Sequence, residues 1–465
     1  MTTVSPEDMP LLTDLYELTM AQSYFREKHN ELATFSLFIR KYPPNRGFFV
    51  SCGLEDVLRY LEEFHYTPGA IDRLYHTDIF SDDFLDYLKG LSFTGVVRAI
   101  PEGRIFFVDE PILEVTAPII EAQIVETFII NQMNLQCLIA SKAARCIHAA
   151  RGRTVIDFSL RRTQGSDAGM KVARASYITG FSATSNVLAG VTYGIPLSGT
   201  MAHSYISSYD HEIDAFSAFA RNFPERSILL IETYDAISGA HKAVEVAKEM
   251  AARGQHLRGV RIDSGDLLTL GQKVRRILDE AGFPDVQIVG SGGLDEFDLD
   301  ELSQENAPYD AYGIGTKMGV SGDAPWTDMA YKLVRYGERP VIKLSTEKVS
   351  LPDAKQVFRF TDGGHLHHDI IALYSERMGS AAPLLNPVMA NGSIIGALPA
   401  LSEIRDRFRE EFRQLDEKYK AIRDPAVYPV YLSSDLQSLE EQMKRQIETI
   451  EIKYAPQRPR DLGES

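Results

Sequence analysis

Short apolar runs alternate with polar loops and helical segments through the middle of the chain, from about residue 154 to 316. The runs have the length of buried strands, and they are Thr154–Phe158, Ile195–Leu197, Ile228–Ile231, Val260–Ile262, Val286–Val289 and Ala311–Ile314. Helical spacing separates the later runs, at Ala240–Ala252, Leu267–Ala281 and Leu294–Leu302. This order predicts parallel strands joined by right-handed crossovers. So many repeats favour an α/β barrel over an open sheet, although periodicity leaves the closure of the barrel open.

The pattern on either side of this segment is mixed. Before it we expect a short helix, two strand regions and a long helix, at Asp14–Met20, Thr34–Arg40, Gly95–Thr116 and Glu121–Ala150. After it we expect three strands and then two charged helices, at Val341–Leu344, Val357–Phe360, Ile370–Leu373, Leu401–Ile422 and Leu436–Glu448. The Pro- and Arg-containing tail, Ala455–Ser465, is expected to fray.

Composition narrows the class of protein. The 465 residues carry a formal net charge of -16, which argues against general binding to DNA or RNA. Three scattered cysteines do not make a disulfide framework or a cysteine-rich zinc site, so a reducing compartment is expected. The amino terminus resembles no secretory signal, and no apolar run approaches the ~20 residues of a membrane helix. We therefore expect a soluble, cytoplasmic protein.

One histidine stands on a loop of small residues, in the segment Gly199–Ser204 (GTMAHS). Small residues let the backbone approach a ligand and leave the imidazole of His203 unshielded. Such a histidine can act as a base, as a ligand or as a nucleophile that accepts a phosphoryl group.

Two glycine-rich turns follow the last two predicted strands. Gly290–Leu294 (GSGGL) and Gly313–Lys317 (GIGTK) each join a strand to a helix start. Exposed amides at such a turn can hold an anion, and an α/β barrel commonly binds phosphate after its last strands. Either turn alone could be a plain connection, but the pair predicts a phosphate site.

Charged residues follow other strands. Arg261 and Asp263 alternate along one strand and so point the same way, which places a guanidinium beside a carboxylate. Asp263 and Asp266 could share a magnesium shell or hold sugar hydroxyls, or Asp266 could simply cap the next helix. Arg161 and Arg162 are adjacent after another strand, so only one of them is expected to reach the barrel mouth.

Two other features carry less weight. The histidine-rich segment His365–Asp369 follows Gly363 and Gly364, which favours a hairpin with solvated histidines over a metal site. The sequence has no G-x-x-x-x-G-K-[ST] loop, so any use of ATP must follow another mechanism.

Several motifs, in this order, resemble those of nicotinate phosphoribosyltransferases. They are Thr13–Tyr16 (TDLY), Asp157–Arg162 (DFSLRR), Gly199–Ser204 (GTMAHS), Arg261–Asp266 (RIDSGD), Gly313–Thr316 (GIGT) and Lys355–Arg359 (KQVFR). The resemblance runs from near residue 10 to about residue 435.

The resemblance implies a fold and a reaction. The fold is an irregular α/β barrel plus an α/β domain built from both chain ends, which gives an amino-terminal segment 1–125, a barrel 126–334, a completing segment 335–435 and a terminal helix and tail 436–465. The reaction joins nicotinate to phosphoribosyl pyrophosphate, giving nicotinate mononucleotide and pyrophosphate, with hydrolysis of ATP as co-substrate and with Mg²⁺. This is the first step of NAD salvage from nicotinate. The resemblance also implies a homodimer with active sites at the subunit interface.

The resemblance assigns roles to residues of this chain. The catalytic group is His203, which ATP phosphorylates, together with Asp263 at the ribose hydroxyls and Glu232, where relatives usually carry aspartate. Nicotinate would be held by Tyr16 from the partner subunit, Arg161, Thr200, Ser204 and Arg261. The phosphoribosyl donor would be held by Ser291, Gly292, Gly293, Gly315 and Thr316. Asp266 is the candidate ligand for Mg²⁺.

The sequence leaves three alternative functions. The nicotinamide-using relative carries a carboxylate in place of Met201 and so resembles this chain less. A sugar-phosphate lyase or isomerase on an α/β barrel would share the two phosphate turns, but it would need neither His203 nor ATP. A nucleotide-binding protein without activity fits poorly with the intact set of charged residues.

Overall fold

The computed structural model describes residues 4–344 and 350–451. Its α-helices are α1 (Leu15–Arg26), α2 (Leu54–Glu63), α3 (Pro68–Tyr75), α4 (Asp82–Lys89), α5 (Ile119–Ile124), α6 (Glu126–Ala149), α7 (Ser166–Ile178), α8 (Val187–Tyr193), α9 (His203–Ser207), α10 (Glu212–Asn222), α11 (Ala236–Ala252), α12 (Leu267–Glu280), α13 (Glu296–Gln304), α14 (Thr316–Gly319), α15 (Leu401–Gln414), α16 (Glu417–Lys420) and α17 (Ser434–Glu451). None of these helices is both long and apolar enough to cross a membrane.

The strands form one large antiparallel sheet, one parallel sheet and two smaller sheets. They are β1 (Leu32–Ile39), β2 (Phe49–Val50), β3 (Val96–Ala99), β4 (Ile105–Phe106), β5 (Leu113–Pro118), β6 (Thr154–Asp157), β7 (Ala183–Thr184), β8 (Ile228–Leu230), β9 (Gly259–Ile262), β10 (Gln287–Gly290), β11 (Ala311–Ile314), β12 (Met329–Tyr336), β13 (Arg339–Pro340), β14 (Lys355–Asp362), β15 (His365–Leu373), β16 (Ala382–Pro383), β17 (Asn386–Ala390), β18 (Ser393–Ile394) and β19 (Val430–Leu432).

The antiparallel sheet joins distant parts of the chain. Its order is β13-β12-β1-β5-β3-β17-β18, so strands from residues 32–118 lie between strands from residues 329–394. β1 lies between β12 and β5 and is buried along almost its whole length. Its buried hydroxyls are satisfied by cross-strand partners, Thr34 by Thr116 at 2.9 Å and Ser36 by Glu114 at 2.6 Å.

The parallel sheet carries the predicted strand–helix repeat. Its order is β7-β6-β11-β10-β9-β8, and it curls into a half-barrel with β7 and β8 at its two edges. The predicted irregular α/β barrel is therefore confirmed in this form. Ile195–Leu197 was expected to be a strand, but it makes only an isolated bridge from Leu197 to Thr184. Pro196 has no N–H to donate, which prevents a regular ladder at this position.

The parallel register brings the carboxyl ends of the central strands to one edge of the half-barrel. Gly290 pairs with Ile262 of β9 and with Tyr312 of β11, and Ile314 pairs with Asp157 of β6. The loops after β6, β9, β10 and β11 consequently meet at this edge.

The carboxyl-terminal part differs from the predicted elements in two places. The helix expected over 401–422 is broken between α15 and α16, where Leu415 is extended and Asp416 caps α16 by accepting the Lys418 amide at 3.0 Å. Residues 341–344 form no strand, and the pairing ends with the two residues of β13. The predicted tail, 455–465, lies outside the described residues.

The histidine-rich segment lies in β15 and forms the predicted hairpin with β14. Gly363 and Gly364 make the turn, both with positive φ, 55° and 84°. Among the described residues, the one group of at least three possible ligands close enough to share a metal ion lies elsewhere, at His203, Glu232 and Asp263.

Candidate active site

A cavity of about 560 Å³ opens at the carboxyl edge of the half-barrel. Most of the site residues expected from the sequence line it: Arg161, Thr200, His203, Arg261, Asp263, Ser291, Gly292, Gly293, Gly315 and Thr316. They come from five separate loops, which the strand order of the sheet brings together.

The backbone of the first glycine turn requires glycine at position 292. Its φ is 104°, and a Cβ added there would lie 1.7 Å from the carbonyl oxygen of Asp263. Within the described residues, the amides of Gly292 and Gly293 donate no hydrogen bond. A side chain is thus excluded at Gly292, and two free N–H groups lie beside the cavity, as an anion site requires.

The second glycine turn is packed against the loop after β6. Added Cβ atoms would lie 2.3 Å from the Phe158 ring at Gly313 and 3.0 Å from the Phe158 carbonyl oxygen at Gly315. Phe158 itself lines the cavity. Because β6 and β11 are neighbours, these glycines allow the two loops to lie in close contact, with Thr316 at the start of α14 beside the cavity.

Arg261 has an incomplete set of hydrogen-bond partners among the described residues. It lies at the end of β9, where Nη2 donates to the carbonyl oxygen of Met201 at 3.2 Å. Its buried Nε has no hydrogen-bond partner among the described residues. Burial lowers the pKa of Arg261. The carboxylates of Asp263 and Glu232 raise this pKa, and the guanidinium of Arg161 lowers it. A bound carboxylate would satisfy this side chain.

Both arginines after β6 line the cavity, so the expectation that only one would reach it is wrong. The strand ends at Asp157, and Leu160–Arg162 forms a turn of 3₁₀-helix instead of continuing the strand. The two-residue alternation of a strand therefore does not apply to Arg161 and Arg162.

Two carboxylates face the imidazole of His203. Its Nε2 lies 3.8 Å from Oε1 of Glu232 and 3.9 Å from Oδ2 of Asp263, and its Nδ1 lies 3.3 Å from Oγ1 of Thr233. The histidine side chain is about half exposed, at 48%. A protonated or phosphorylated imidazole would thus have groups that orient it on both nitrogens.

The side chain of Glu232, which is longer than that of an aspartate, bridges two loops. Its Oε2 accepts hydrogen bonds from Ser264, at 2.8 Å from the amide and 3.1 Å from the hydroxyl, while Oε1 faces His203. Asp263 is fixed by a hydrogen bond from the hydroxyl of Ser291. These contacts couple the loops after β8, β9 and β10 to the histidine.

Four of the predicted residues do not line the cavity: Glu232, Ser204, Tyr16 and Asp266. Glu232 faces the imidazole of His203, and Ser204 is exposed in α9. Tyr16 is 47% exposed on α1, where burial of its phenol and the charge of Glu126 raise its pKa.

Asp266 caps α12 and does not belong to the group formed by His203, Glu232 and Asp263. Its side chain accepts the amide of Thr269 at 3.2 Å at the start of α12, and this contact lowers its pKa. It lines a second cavity of about 820 Å³, which adjoins the first across Gly292 and Gly293. The carboxylates that lie together are Glu232 and Asp263, without Asp266.

Sequence reasoning missed groups that support the site from behind. Asp157 is buried and accepts hydrogen bonds from Ser159 and Thr184, while burial raises its pKa. Thr233 and the carbonyl of Met201 contact His203 and Arg261. Neighbouring motif residues could have suggested Thr233, but a carbonyl group carries no side-chain pattern in a sequence.

Family models match three parts of the chain. The model described as the nicotinate phosphoribosyltransferase N-terminal domain matches residues 11–134, the family model matches residues 154–334, and the C-terminal domain model matches residues 378–440.

Curated relatives and a solved structure agree with these matches. The chain is 45% identical over 425 residues to nicotinate phosphoribosyltransferase pncB2 of Mycobacterium tuberculosis, covering 91% of each chain. It is 37% identical to the nicotinate phosphoribosyltransferase of Bacillus subtilis, covering 92% of this chain and 94% of the relative. The crystal structure of human nicotinic acid phosphoribosyltransferase superposes with a TM-score of 0.84 at 28% identity, covering 93% of this chain and 99% of the human chain.

Proposed function

This chain belongs to the nicotinate phosphoribosyltransferase family, and on that premise we propose that its cavity joins nicotinate to 5-phosphoribosyl 1-pyrophosphate. The products are nicotinate mononucleotide and pyrophosphate. The observation that carries this proposal is one cavity in which Arg261, with its unpartnered Nε, lies beside the two glycine turns.

Nicotinate fits the arginine side of the cavity. Its carboxylate would take two hydrogen bonds from the Arg261 guanidinium, and Arg161 would add a second positive charge nearby. A neutral amide would leave this charge density less well compensated, which favours the acid over nicotinamide. Thr200 on the neighbouring loop would contact the ring or the carboxylate.

The phosphoribosyl donor fits the glycine side. The free amides of Gly292 and Gly293 and the start of α14 at Thr316 would hold its 5-phosphate. Asp263, oriented by Ser291, would accept hydrogen bonds from the ribose hydroxyls. With both substrates held, the pyridine nitrogen attacks the anomeric carbon as the bond to pyrophosphate breaks.

Magnesium fits the carboxylate pair of Glu232 and Asp263 at this site. Mg²⁺ prefers oxygen ligands, so Glu232 and Asp263 would hold it, whereas the nitrogen of His203 suits it less. When bound, the ion would supply positive charge that stabilises the departing pyrophosphate. The chain's own contribution is to orient both carboxylates through Ser264 and Ser291.

ATP is proposed to phosphorylate His203. The bond from the γ-phosphorus to ADP breaks as a phosphorus–nitrogen bond forms on the imidazole, and water later releases phosphate. The exposed imidazole is accessible for this step, and Glu232 and Thr233 orient it. The phosphorylated loop would order the site for the phosphoribosyl donor.

The His203→Ala variant is expected to keep basal transfer but lose its stimulation by ATP, since only the phosphoryl acceptor is removed. Initial rates with and without ATP, together with ADP release, measure this effect. His211→Ala, an exposed histidine eight residues along the chain, is the matched control and should keep the stimulation. A His203→Ala enzyme that ATP still activates would contradict the phosphohistidine proposal.

We further propose a homodimer in which Tyr16 completes the site of the partner subunit. The support is the position of Tyr16, which is half exposed on α1 and does not line the cavity of its own chain. Exposed apolar residues on α8, Val187, Leu188 and Val191, offer further surface for association.

The direct test of function is an incubation with nicotinate or nicotinamide and phosphoribosyl pyrophosphate, with and without ATP. We expect nicotinate mononucleotide and pyrophosphate from nicotinate, faster with ATP. Nicotinamide mononucleotide as the faster product would favour the nicotinamide-using relative. Consumption of a sugar phosphate without any pyridine would favour a lyase or isomerase.

A further inference from the structure

Four buried charged side chains and one partly exposed carboxylate form a cluster next to the two glycine turns. Arg46, Lys142 and Arg145 meet the carboxylates of Glu296 and Asp323, and Lys142 and Glu296 have no exposed side-chain surface. The cluster contributes three positive charges and two negative ones. Nothing in the proposed chemistry uses any of these five groups.

The two carboxylates follow the two phosphate turns along the chain. Glu296 is the first residue of α13, three positions after Gly293. Asp323 ends a tight turn after α14, in which the amides of Gly319 and Gly322 donate to the carbonyls of Gly315 and Lys317, at 2.9 and 2.8 Å. A shift of either carboxylate would therefore move its phosphate turn.

One lysine contacts both carboxylates. Nζ of Lys142, in the middle of α6, contacts Oε2 of Glu296 and lies 2.7 Å from Oδ1 of Asp323. Arg46 adds a bidentate pair to Asp323, at 2.9 and 3.0 Å, and lies 3.6 Å from Glu296. Arg145 donates to Glu296 at 3.0 Å. Burial alone would raise the pKa of Asp323, but Arg46 and Lys142 hold it well below its usual range.

A second contact joins the same two turns nearer the surface. Nζ of Lys317, which follows Thr316, lies 3.3 Å from Asp295 and 2.9 Å from Asp298 at the start of α13. The two turns are thus tied to each other at the surface and to α6 in the interior.

Burial of four of these charges costs free energy, and apolar packing would serve stability alone at least as well. We propose that this cluster is a clamp that positions the two phosphate turns, with Lys142 as the residue that sets their separation. The proposal rests on the proposed function, because it takes the phosphoribosyl donor as the ligand of both turns. The residues of the clamp are positioning residues, since none of the five lines the cavity.

The clamp predicts a selective effect on the phosphoribosyl donor. A phosphate that is bound equally in the ground state and in the transition state affects KM and leaves kcat unchanged. Loosening the turns should therefore raise the KM for the donor, while kcat and the KM for nicotinate stay constant. If the cluster served stability only, its disruption would lower the melting temperature without a selective rise in the KM for the donor.

The test compares Asp323→Asn with Asp328→Asn. Asp328 pairs with Arg40 at 3.0 Å, and its side chain has a similar exposure to that of Asp323, 33% against 25%, but it follows no phosphate turn. For Asp323→Asn at saturating ATP, we expect the donor KM to rise about tenfold, with kcat and nicotinate KM within about twofold of the parent values. Asp328→Asn should leave all three values unchanged. Calorimetric titration with ribose 5-phosphate should show the same rise in Kd for Asp323→Asn alone.

The surface contact gives a second variant at a residue outside the buried cluster. Asp298→Asn, at a side chain 39% exposed, should raise the donor KM by about threefold. If Asp323→Asn does not fold, Arg46→Lys takes its place, because it keeps the positive charge but removes the bidentate pair to Asp323. The clamp is overturned if the folded variants keep the parent donor KM, or if Asp328→Asn changes it equally. A parent enzyme without transfer activity would instead contradict the proposed function.

Discussion

Replacement of Arg261 by methionine is expected to lower kcat/KM for nicotinate on the order of 100- to 1,000-fold, the usual cost of removing one partner of a desolvated, hydrogen-bonded charge pair. Methionine keeps an apolar stem of similar length but removes the guanidinium, whose Nε is unpartnered in the cavity. Steady-state kinetics with nicotinate and with nicotinamide measure the effect. The preference for the acid should largely disappear, because the lost contact concerns the carboxylate.

Arg153→Met is the matched control for this prediction. Arg153 is also partly buried and donates to backbone carbonyls, with Nε 2.9 Å from the oxygen of Tyr309, but it precedes β6 at the opposite edge of the sheet. It should lower stability and leave the preference for nicotinate intact. An Arg261→Met enzyme that still prefers nicotinate as strongly as the parent would place the carboxylate elsewhere.

The second large effect is expected at Gly292. An alanine Cβ would lie 1.7 Å from the carbonyl oxygen of Asp263, in a backbone conformation with φ of 104°. Because the obstacle is backbone, the loops after β9 and β10 must separate, and a displacement of ~1 Å in a substrate site can cost about 100-fold in rate. We expect kcat/KM for the phosphoribosyl donor to fall by at least that factor.

Gly282→Ala is the control that separates the effect of the collision with the Asp263 carbonyl from the cost of a positive φ alone. Gly282 has φ of 86° after α12, and an added Cβ would meet nothing within 4 Å. It should lose about 1 kcal/mol of stability, as alanine in a left-handed conformation does, and keep full activity. Equal kinetic losses in both variants would show that the collision at Asp263 is not the cause.

Much of the fold could be predicted because its elements have local causes. The strands β9, β10 and β11 were expected within one or two residues, since each is a short apolar run bounded by polar loops. The missing strand at 195–197 shows the limit of this reasoning. An apolar run predicts burial, but Pro196 lacks the donor that a ladder needs.

The site could be predicted at positions where the chemistry of binding requires a particular residue type. Ten of the expected residues line one cavity, because polar and glycine residues after parallel strands gather at one edge of the sheet. Strand alternation gives the wrong expectation for Arg162, because the strand ends five residues earlier and a 3₁₀ turn follows. Asp266 was open between a metal ligand and a helix cap, and a contact with Thr269 within its own turn makes it a cap.

The sequence by itself determined the family, the strand–loop–helix repeat and the residue types at the strand ends, because periodicity and turn chemistry act over a few neighbouring residues. Only the tertiary structure decided which loops face each other and which charges lie behind them. Arg46 meets Asp323 across 277 positions of the chain, and Lys142 meets the same carboxylate across 181. Such pairs follow from the strand order and from the position of α6 against the half-barrel, and no local pattern in either segment specifies its distant partner.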